Sequence, residues 1–364
     1  MSLSLHDILV EAVTRGASDI HLKGGCPPVY RIHAELAVGA LPTLSAEELT
    51  RLAAEHLPGH LKEEFATERE ADFAILDPVA GRFRVSLFVT QGAPAMVLRH
   101  VKAKVPTLEQ LSLPPVLAKL VEIPQGIVVL TGATGSGKST TLAALIQILN
   151  DTQRLRIVTI EDPIEYQFSD NECLITQREV GPDTLSFHAA LKRVLRQDPD
   201  VIVVGEMRDE TTFETALGAA ETGHLVFTTL HASSAPHAVT RILNMFPESE
   251  REQIRLNLAG NLKAILCQQL IPGIPSGVKP AVEILINTPT VRKLIEKNRL
   301  EVLAAAIETG SGDGMQSFNQ SLYQLIRNGQ ISEREGMLHS FNPEQLGMNL
   351  KGIFLDEGKR ILPT

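Results

Sequence analysis

The chain has no tryptophan, three tyrosines and only three cysteines in 364 residues. Cys26, Cys173 and Cys267 stand far apart, with no Cys-x-x-Cys pair and no metal-ligand spacing. That spacing excludes a disulfide framework or zinc cluster and leaves isolated apolar thiols of a reducing compartment. No apolar run approaches the roughly 18 residues needed to cross a bilayer, so any membrane role is expected to be peripheral. The start, Met1-Ser2-Leu3-Ser4-Leu5-His6-Asp7, lacks a basic segment and an apolar stretch, so no secretory signal is expected and a cytoplasmic location is. An excess of positive charge is missing too, since the formal net charge is −9. Gripping a phosphate backbone needs clustered Lys and Arg, and base stacking needs aromatics, which make up only 4% here. Nucleic acid is therefore not an expected partner. Low-complexity tracts and obvious repeats are also absent.

What is present suits a soluble two-domain protein. Apolar residues make up 43% and charged residues 21% of the chain, enough to build real cores. Residues 4–15 form an amphipathic pattern with Leu5, Ile8, Leu9 and Val13 on one stripe, and Gly16 follows as a stop. Short alternating segments come next, around Asp19–Leu22, Val29–Ile32, Asp72–Leu76, Arg82–Val89 and Ala95–Val101. A helical stretch from Ser45 to Phe65, opened by the capping box Ser45-Ala46-Glu47-Glu48, lies between them. These features predict a small α+β domain over 1–101 and a linker over 102–107.

From Leu117 the rhythm changes to strand, loop, helix. Runs apolar on both faces, at Ile127–Leu130, Ile157–Ile160, Val201–Val204 and Leu225–Phe227, predict a buried parallel sheet. Phe213, Ala216, Leu217 and Ala220 mark a helix that Gly223 closes. After about Ile271 the pattern is mainly helical. Thr288-Pro289, Ser332-Glu333-Arg334-Glu335 and Asn342-Pro343 read as helix starts. The second domain is thus expected over 108–364, with an α/β core to about 287 and a helical layer from about 288.

One motif sets the chemical class. Gly132-Ala133-Thr134-Gly135-Ser136-Gly137-Lys138-Ser139 follows an apolar strand and precedes a helix-compatible run from Thr140. Its glycines let backbone N–H groups turn toward a phosphate, and the new helix aims its positive end at the same anion. Lys138 adds a cation beside the outer phosphates, and the Ser139 hydroxyl is a ligand for Mg2+. Val201–Val204 leads to Glu206, a carboxylate able to orient or deprotonate an attacking water at the end of a neighbouring strand. Asp200, before that strand, reads equally as a turn residue. Glu161-Asp162-Pro163-Ile164-Glu165 places carboxylates after another strand, as a metal-supporting set or a solvated Asp-Pro turn. His224 and His231 flank the last core strand, each as a phosphate-facing donor or a structural group.

These four motifs, in this order, resemble the secretion-ATPase superfamily that drives type II secretion and type IV pili. The family's Walker A, Asp box, Walker B and His box correspond to Gly132–Ser139, Glu161–Tyr166, Asp198–Asp209 and Thr222–His231. Ser18-Asp19-Ile20-His21-Leu22, Pro27-Pro28 and Arg31 resemble its first domain. The four-cysteine insertion common in extension and secretion relatives is lacking, which is similar to the pilus-retraction branch. Thr290-Val291-Arg292-Lys293-Leu294-Ile295 departs from that branch's Ala-Ile-Arg-Asn-Leu-Ile signature and keeps an accessory retraction ATPase open.

The resemblance implies a RecA-like P-loop core with a PAS-like N-terminal domain. It implies ATP and Mg2+ held by Gly132, Ala133, Thr134, Gly135, Ser136, Gly137, Lys138, Ser139 and Thr140. Glu206 would be the catalytic carboxylate, Glu161 and Glu165 would support metal and water, and His231 would sense the γ-phosphate. Arg82, Arg84 and Arg99 would bring charge from the first domain, with Arg241 as a further cation, although each also reads as a surface arginine. A homo-hexameric motor for pilus retraction and twitching motility is implied, acting on an inner-membrane platform protein at the inner face of the cytoplasmic membrane. A nucleic-acid translocase and a nucleotide-gated scaffold are the competing readings.

Overall fold

The computed structural model describes residues 3–32, 35–101 and 104–353. The chain divides into two compact units. One comprises Met1–Lys104 with Glu165–Gln167, and the other Val105–Ile164 with Phe168–Thr364. Lys102 and Ala103, the first residues of the expected linker, lie outside the described residues.

In the first unit, helix α1 (Leu5–Thr14) begins at Ser4, whose hydroxyl accepts from the Asp7 N–H at 3.2 Å. It buries Leu5, Ile8, Leu9 and Ala12, whereas Val13 is exposed. The buried stripe runs i, i+3, i+4, i+7, so the fourth apolar position falls on Ala12, not on the larger Val13. Strands β1 (Asp19–Leu22), β2 (Val29–Ile32) and β3 (Glu35–Val38) precede helices α2 (Ala46–His56) and α3 (Lys62–Glu68). Ser45 and Glu48 complete the capping box, but the single helix expected from Ser45 to Phe65 is broken. Leu57 is extended because it precedes Pro58, whose ring disfavours a helical predecessor. Strands β4 (Glu70–Asp77), β5 (Gly81–Thr90) and β6 (Ala93–His100) then close an antiparallel sheet of order β3-β2-β1-β6-β5-β4. One face of it buries Ile20, Leu22, Phe83, Val85, Leu87 and Leu98.

The second unit is built on β7 (Gly126–Thr131), α4 (Lys138–Thr152), β8 (Arg156–Glu161), β9 (Leu174–Glu179) and α5 (Phe187–Val194). It continues through β10 (Val201–Val204), α6 (Glu210–Glu221), β11 (Leu225–Leu230), α7 (Ala235–Leu243), α8 (Arg251–Asn261), β12 (Leu262–Pro272) and β13 (Val278–Ile286). The seven strands lie in the order β13-β12-β7-β11-β10-β8-β9, all parallel except the β12–β13 pair. Every residue of β7, β10 and β11 is buried because helices cover both faces.

Strands β3, β9 and β12 escape the sequence pattern. β12 follows α8 with no glycine or proline stop, and β9 is a polar edge strand with only Glu179 fully buried. The strand order also differs from the sequence reading. β10, which leads to Glu206, is not the neighbour of β7, because β11 lies between them.

The C-terminal helices α9 (Pro289–Glu296), α10 (Leu303–Thr309), α11 (Phe318–Arg327), α12 (Glu333–His339) and α13 (Pro343–Leu350) continue the same core through Val291, Ile295, Ile307, Phe318 and Leu322. Ser332 caps α12 with its hydroxyl, but Glu335 turns its carboxylate toward His339 Nε2, 3.7 Å away, so the box is not reciprocal. Among the described residues no helix is long and apolar enough to cross a membrane.

Candidate active site

In a parallel sheet the loops after the strands gather at one edge, and ligands bind there. Four such loops meet here: Gly132–Gly137 after β7, Glu161 at the end of β8, Gly205–Glu206 after β10, and His231 after β11.

The loop after β7 needs its glycines. Gly132, Gly135 and Gly137 have φ of +150°, +78° and +88°. A Cβ on Gly132 would lie 2.4 Å from the Gln268 carbonyl oxygen and 2.5 Å from Ser136 Oγ. One on Gly137 would lie 2.7 Å from Gln268 Nε2. Gly137 also ends the loop in a left-handed conformation from which α4 starts at Lys138. Lys138 Nζ donates to the carbonyls of Gly132 at 2.9 Å and Ala133 at 3.0 Å, so the ammonium sits over the loop itself. Ser136 Oγ is buried without a protein partner. An orphaned hydroxyl and a cradle closed to any side chain fit a ligand rich in acceptor oxygens, such as a nucleotide phosphate. Ala133, Thr134 and Gly135 are exposed around it, and Ser139 and Thr140 are half-buried in the first turn of α4.

Glu206 is held from both sides. Gly205 N–H donates to the Ile160 carbonyl at 2.8 Å, and Thr229 Oγ1 donates to the Gly205 carbonyl at 2.6 Å. The Glu206 carboxylate meets Arg208 Nη2 at 2.8 Å and His231 Nε2 at 3.1 Å. Burial acts to raise its pKa. Arg208 first, then the charges of His231 and Lys138, outweigh burial and hold the carboxyl below its usual range. It is therefore an ionised acceptor near neutral pH, close enough to Lys138 to feel its charge. Arg208 was not singled out by the motif reading, because a cation two residues past a strand end carries no spacing signal.

Glu161 Oε1 accepts from Thr159 Oγ1 at 2.6 Å and from Gln177 Nε2 at 3.1 Å. Glu165 is exposed, and its segment groups with the first unit. No group of three or more His, Cys, Asp or Glu side chains able to hold a metal occurs among the described residues. A divalent cation here would depend on Ser139, on water near Glu161 and on phosphate oxygens of the nucleotide itself.

The structure separates the two histidines. His231 follows β11 at the site. His224 precedes the same strand, roughly 20 Å away at ~3.3 Å per residue, and its Nδ1 lies 2.9 Å from the Ala219 carbonyl. Asp200 is also at the far edge, accepting the Arg156 N–H at 2.8 Å. Both serve the fold.

In the first unit, Arg84 and Arg99 are register partners on β5 and β6. Arg82, two residues from Arg84, shares their face. Like charges directly opposite repel. Asp19 Oδ1, 2.8 Å from Arg99 Nε, and Asp72, 3.8 Å from Arg84, offset this. Arg241 is exposed on α7.

A second residue that sequence reasoning missed is Gln268 on β12. Buried to 4% exposure, it donates from Nε2 to the Ser136 carbonyl and accepts from Thr141 Oγ1, each at 2.8 Å. It props the phosphate loop from behind.

Comparison with known proteins agrees with this geometry. The family described as "Type II/IV secretion system protein" matches residues 2–297. The type IV pilus retraction ATPase PilT of Pseudomonas aeruginosa is 40% identical over 342 residues, 94% of this chain and 99% of that protein. The type IV pilus ATPase PilU of the same organism is 40% identical over 341 residues, 93% of this chain and 89% of that protein. A crystal structure of the pilus retraction motor PilT with bound ADP superposes with a TM-score of 0.88 at 41% identity, covering 95% of this chain and 99% of that one.

Proposed function

The chain belongs to the type II/IV secretion system protein family, and from that premise we propose that it is an ATPase motor that powers type IV pilus retraction and the twitching motility that depends on it. The observation that carries the proposal is the meeting of a glycine-enforced phosphate cradle with an ionised Glu206 in contact with His231. Kinship of similar degree to PilT and PilU over nearly the whole chain supports the assignment to retraction.

In this reading Lys138 exchanges the Gly132 and Ala133 carbonyls for phosphate oxygens when ATP enters. The loop backbone from Gly132 to Gly137 and the start of α4 at Lys138, Ser139 and Thr140 bind the phosphates. Ser139 Oγ and, through water, Glu161 would hold Mg2+, which supplies charge neutralisation for phosphoryl transfer. Glu206 orients the attacking water and draws its proton. His231, bonded to Glu206, reports the state of the γ-phosphate along β11 and into α7. The proposal extends to Glu165 as an outer support for the water. It extends also to Arg82, Arg84 and Arg99 as guanidinium charge for the transition state. Coupling to work is assigned to a homo-hexameric ring at the inner face of the cytoplasmic membrane, acting on an inner-membrane platform protein of the pilus.

A second reading, an accessory retraction ATPase, is favoured by Thr290-Val291-Arg292-Lys293-Leu294-Ile295, which departs from the retraction signature. Restoration of retraction by this chain alone in cells lacking their retraction ATPase supports the main role. Restoration only beside a second retraction ATPase supports the accessory one.

The decisive experiment measures phosphate release by the wild type beside Glu206→Gln, with sizing of both in ATP and Mg2+. Slow turnover, its collapse by at least ~100-fold in the variant and a ring-sized species in both are expected. Equal turnover in the two proteins would remove Glu206 from the chemistry.

A further inference from the structure

Glu283 is a carboxylic acid inside the core that no step above uses. It sits on β13 at 7% exposure. Its Oε1 accepts the N–H of Ala235, the first residue of α7, at 2.7 Å. Cys267, its register partner on β12, offers it a thiol hydrogen bond. Burial pushes both acids up, while the Ala235 and Cys267 hydrogen bonds work the other way on Glu283.

Cys267 is in turn the register partner of Thr131, the last residue of β7 before the phosphate loop. Thr131 Oγ1 accepts the Ala232 N–H at 2.6 Å and donates to the Ala232 carbonyl at 3.0 Å. The segment from His231 to Ala235 is therefore held at two points. Thr131 grips it just after His231, and Glu283 grips it where α7 begins. The first N–H groups of a helix have no partner within the helix. Ser234 takes the His237 amide, at 3.4 Å, and Glu283 takes that of Ala235.

We propose that Glu283 is a positioning residue for hydrolysis: by holding the first amide of α7 it fixes the His231–Ala235 segment, and through it the contact of His231 with Glu206. This rests on the reading of Glu206 and His231 as working groups at the nucleotide. It assigns a role to a buried side chain that an apolar residue of equal volume would otherwise replace at lower desolvation cost.

The test pairs Glu283→Gln, which keeps an acceptor oxygen, with Glu283→Met, which removes it at similar volume. Glu283→Gln is expected to keep kcat within about 3-fold of wild type, and Glu283→Met to lower it about 10-fold with KM for ATP changed less than about 2-fold, because a small misplacement of a working group costs rate. Both changes are repeated in a His231→Ala background. There Glu283→Met is expected to cost less than about 2-fold more, since residues that act through one another are not additive. If Glu283→Met does not fold, Glu283→Asp, which withdraws the carboxyl by one methylene, takes its place with the same expectation. Equal rates for the Gln and Met chains would overturn the proposal. So would an equal fold-loss with and without His231. A wild type and Glu206→Gln that turn over alike would sink the site reading itself. A dead Glu206→Gln beside a fully active Glu283→Met would sink only the positioning role.

Discussion

Gln268 and Ser136 are joined across 132 residues of sequence by one hydrogen bond, from the Gln268 amide to the Ser136 carbonyl at 2.8 Å. The bond couples β12 to the crest of the phosphate loop. Gln268→Leu keeps the volume but leaves the Ser136 carbonyl and the Thr141 hydroxyl without this partner. Stability should fall by about 1–3 kcal/mol, the cost of unsatisfied buried polar groups. A loosened loop should raise KM for ATP by roughly 10-fold, since positioning is lost, with kcat less affected. Thermal melting and steady-state kinetics check both.

The glycines of the loop differ in what surrounds them. Gly137 has φ +88° and would put a Cβ 2.7 Å from Gln268 Nε2, whereas Gly135 has φ +78° and open space around it. Gly135→Ala should cost only backbone strain, about 1–2 kcal/mol. Gly137→Ala adds a clash with the prop and should cost more, with loss of nucleotide binding. Comparison of melting temperatures and of nucleotide titrations for the two variants measures the difference.

Arg208 is expected to set the acid limit of activity through its contact with Glu206. A carboxylate with a depressed folded-state pKa contributes stability above its unfolded pKa and loses it as pH falls through the folded one. Glu206 is such a group, with burial opposing and Arg208 leading the favourable charges. Arg208→Ala raises its folded-state pKa, so the acid limb of kcat/KM should move to higher pH. A pH–rate profile with an unmoved acid limb would separate Arg208 from the ionisation of Glu206.

The first unit carries its own pH dependence. His6 Nδ1 lies 2.7 Å from Asp77 Oδ2. That hydrogen bond and the charge of Asp77 raise the His6 pKa above 6.5. For Asp77, burial acts upward, and the Ala80 and Val79 amides with His6 bring the net value down. A raised histidine contributes stability fully below its unfolded pKa and loses it as pH rises through the folded one. His6→Gln should therefore lower the melting temperature most below about pH 6.5, while Asp77 remains ionised, and converge with wild type in alkaline buffer. Melts across that range decide it.

The legible features were those written in adjacent residues. A phosphate loop needs glycines at fixed offsets, a lysine and a strand before it, so Gly132–Ser139 declared itself. Helix caps at Ser45 and Thr288 were equally plain, because a cap is a hydroxyl three residues from the amide it binds. The strand cores of the parallel sheet read as apolar runs because both their faces are buried. What tertiary structure alone decided lies in non-local pairings. Strand order put β11 between β7 and β10, which brings His231 to Glu206. Register across β13, β12 and β7 aligned Glu283, Cys267 and Thr131, and one further residue along β12 turned Gln268 to the phosphate loop. A strand's side chains alternate faces, but which neighbour each face meets is settled only when distant segments pair. The chemistry of this protein was therefore local and readable, while the supports that aim it were set by the sheet.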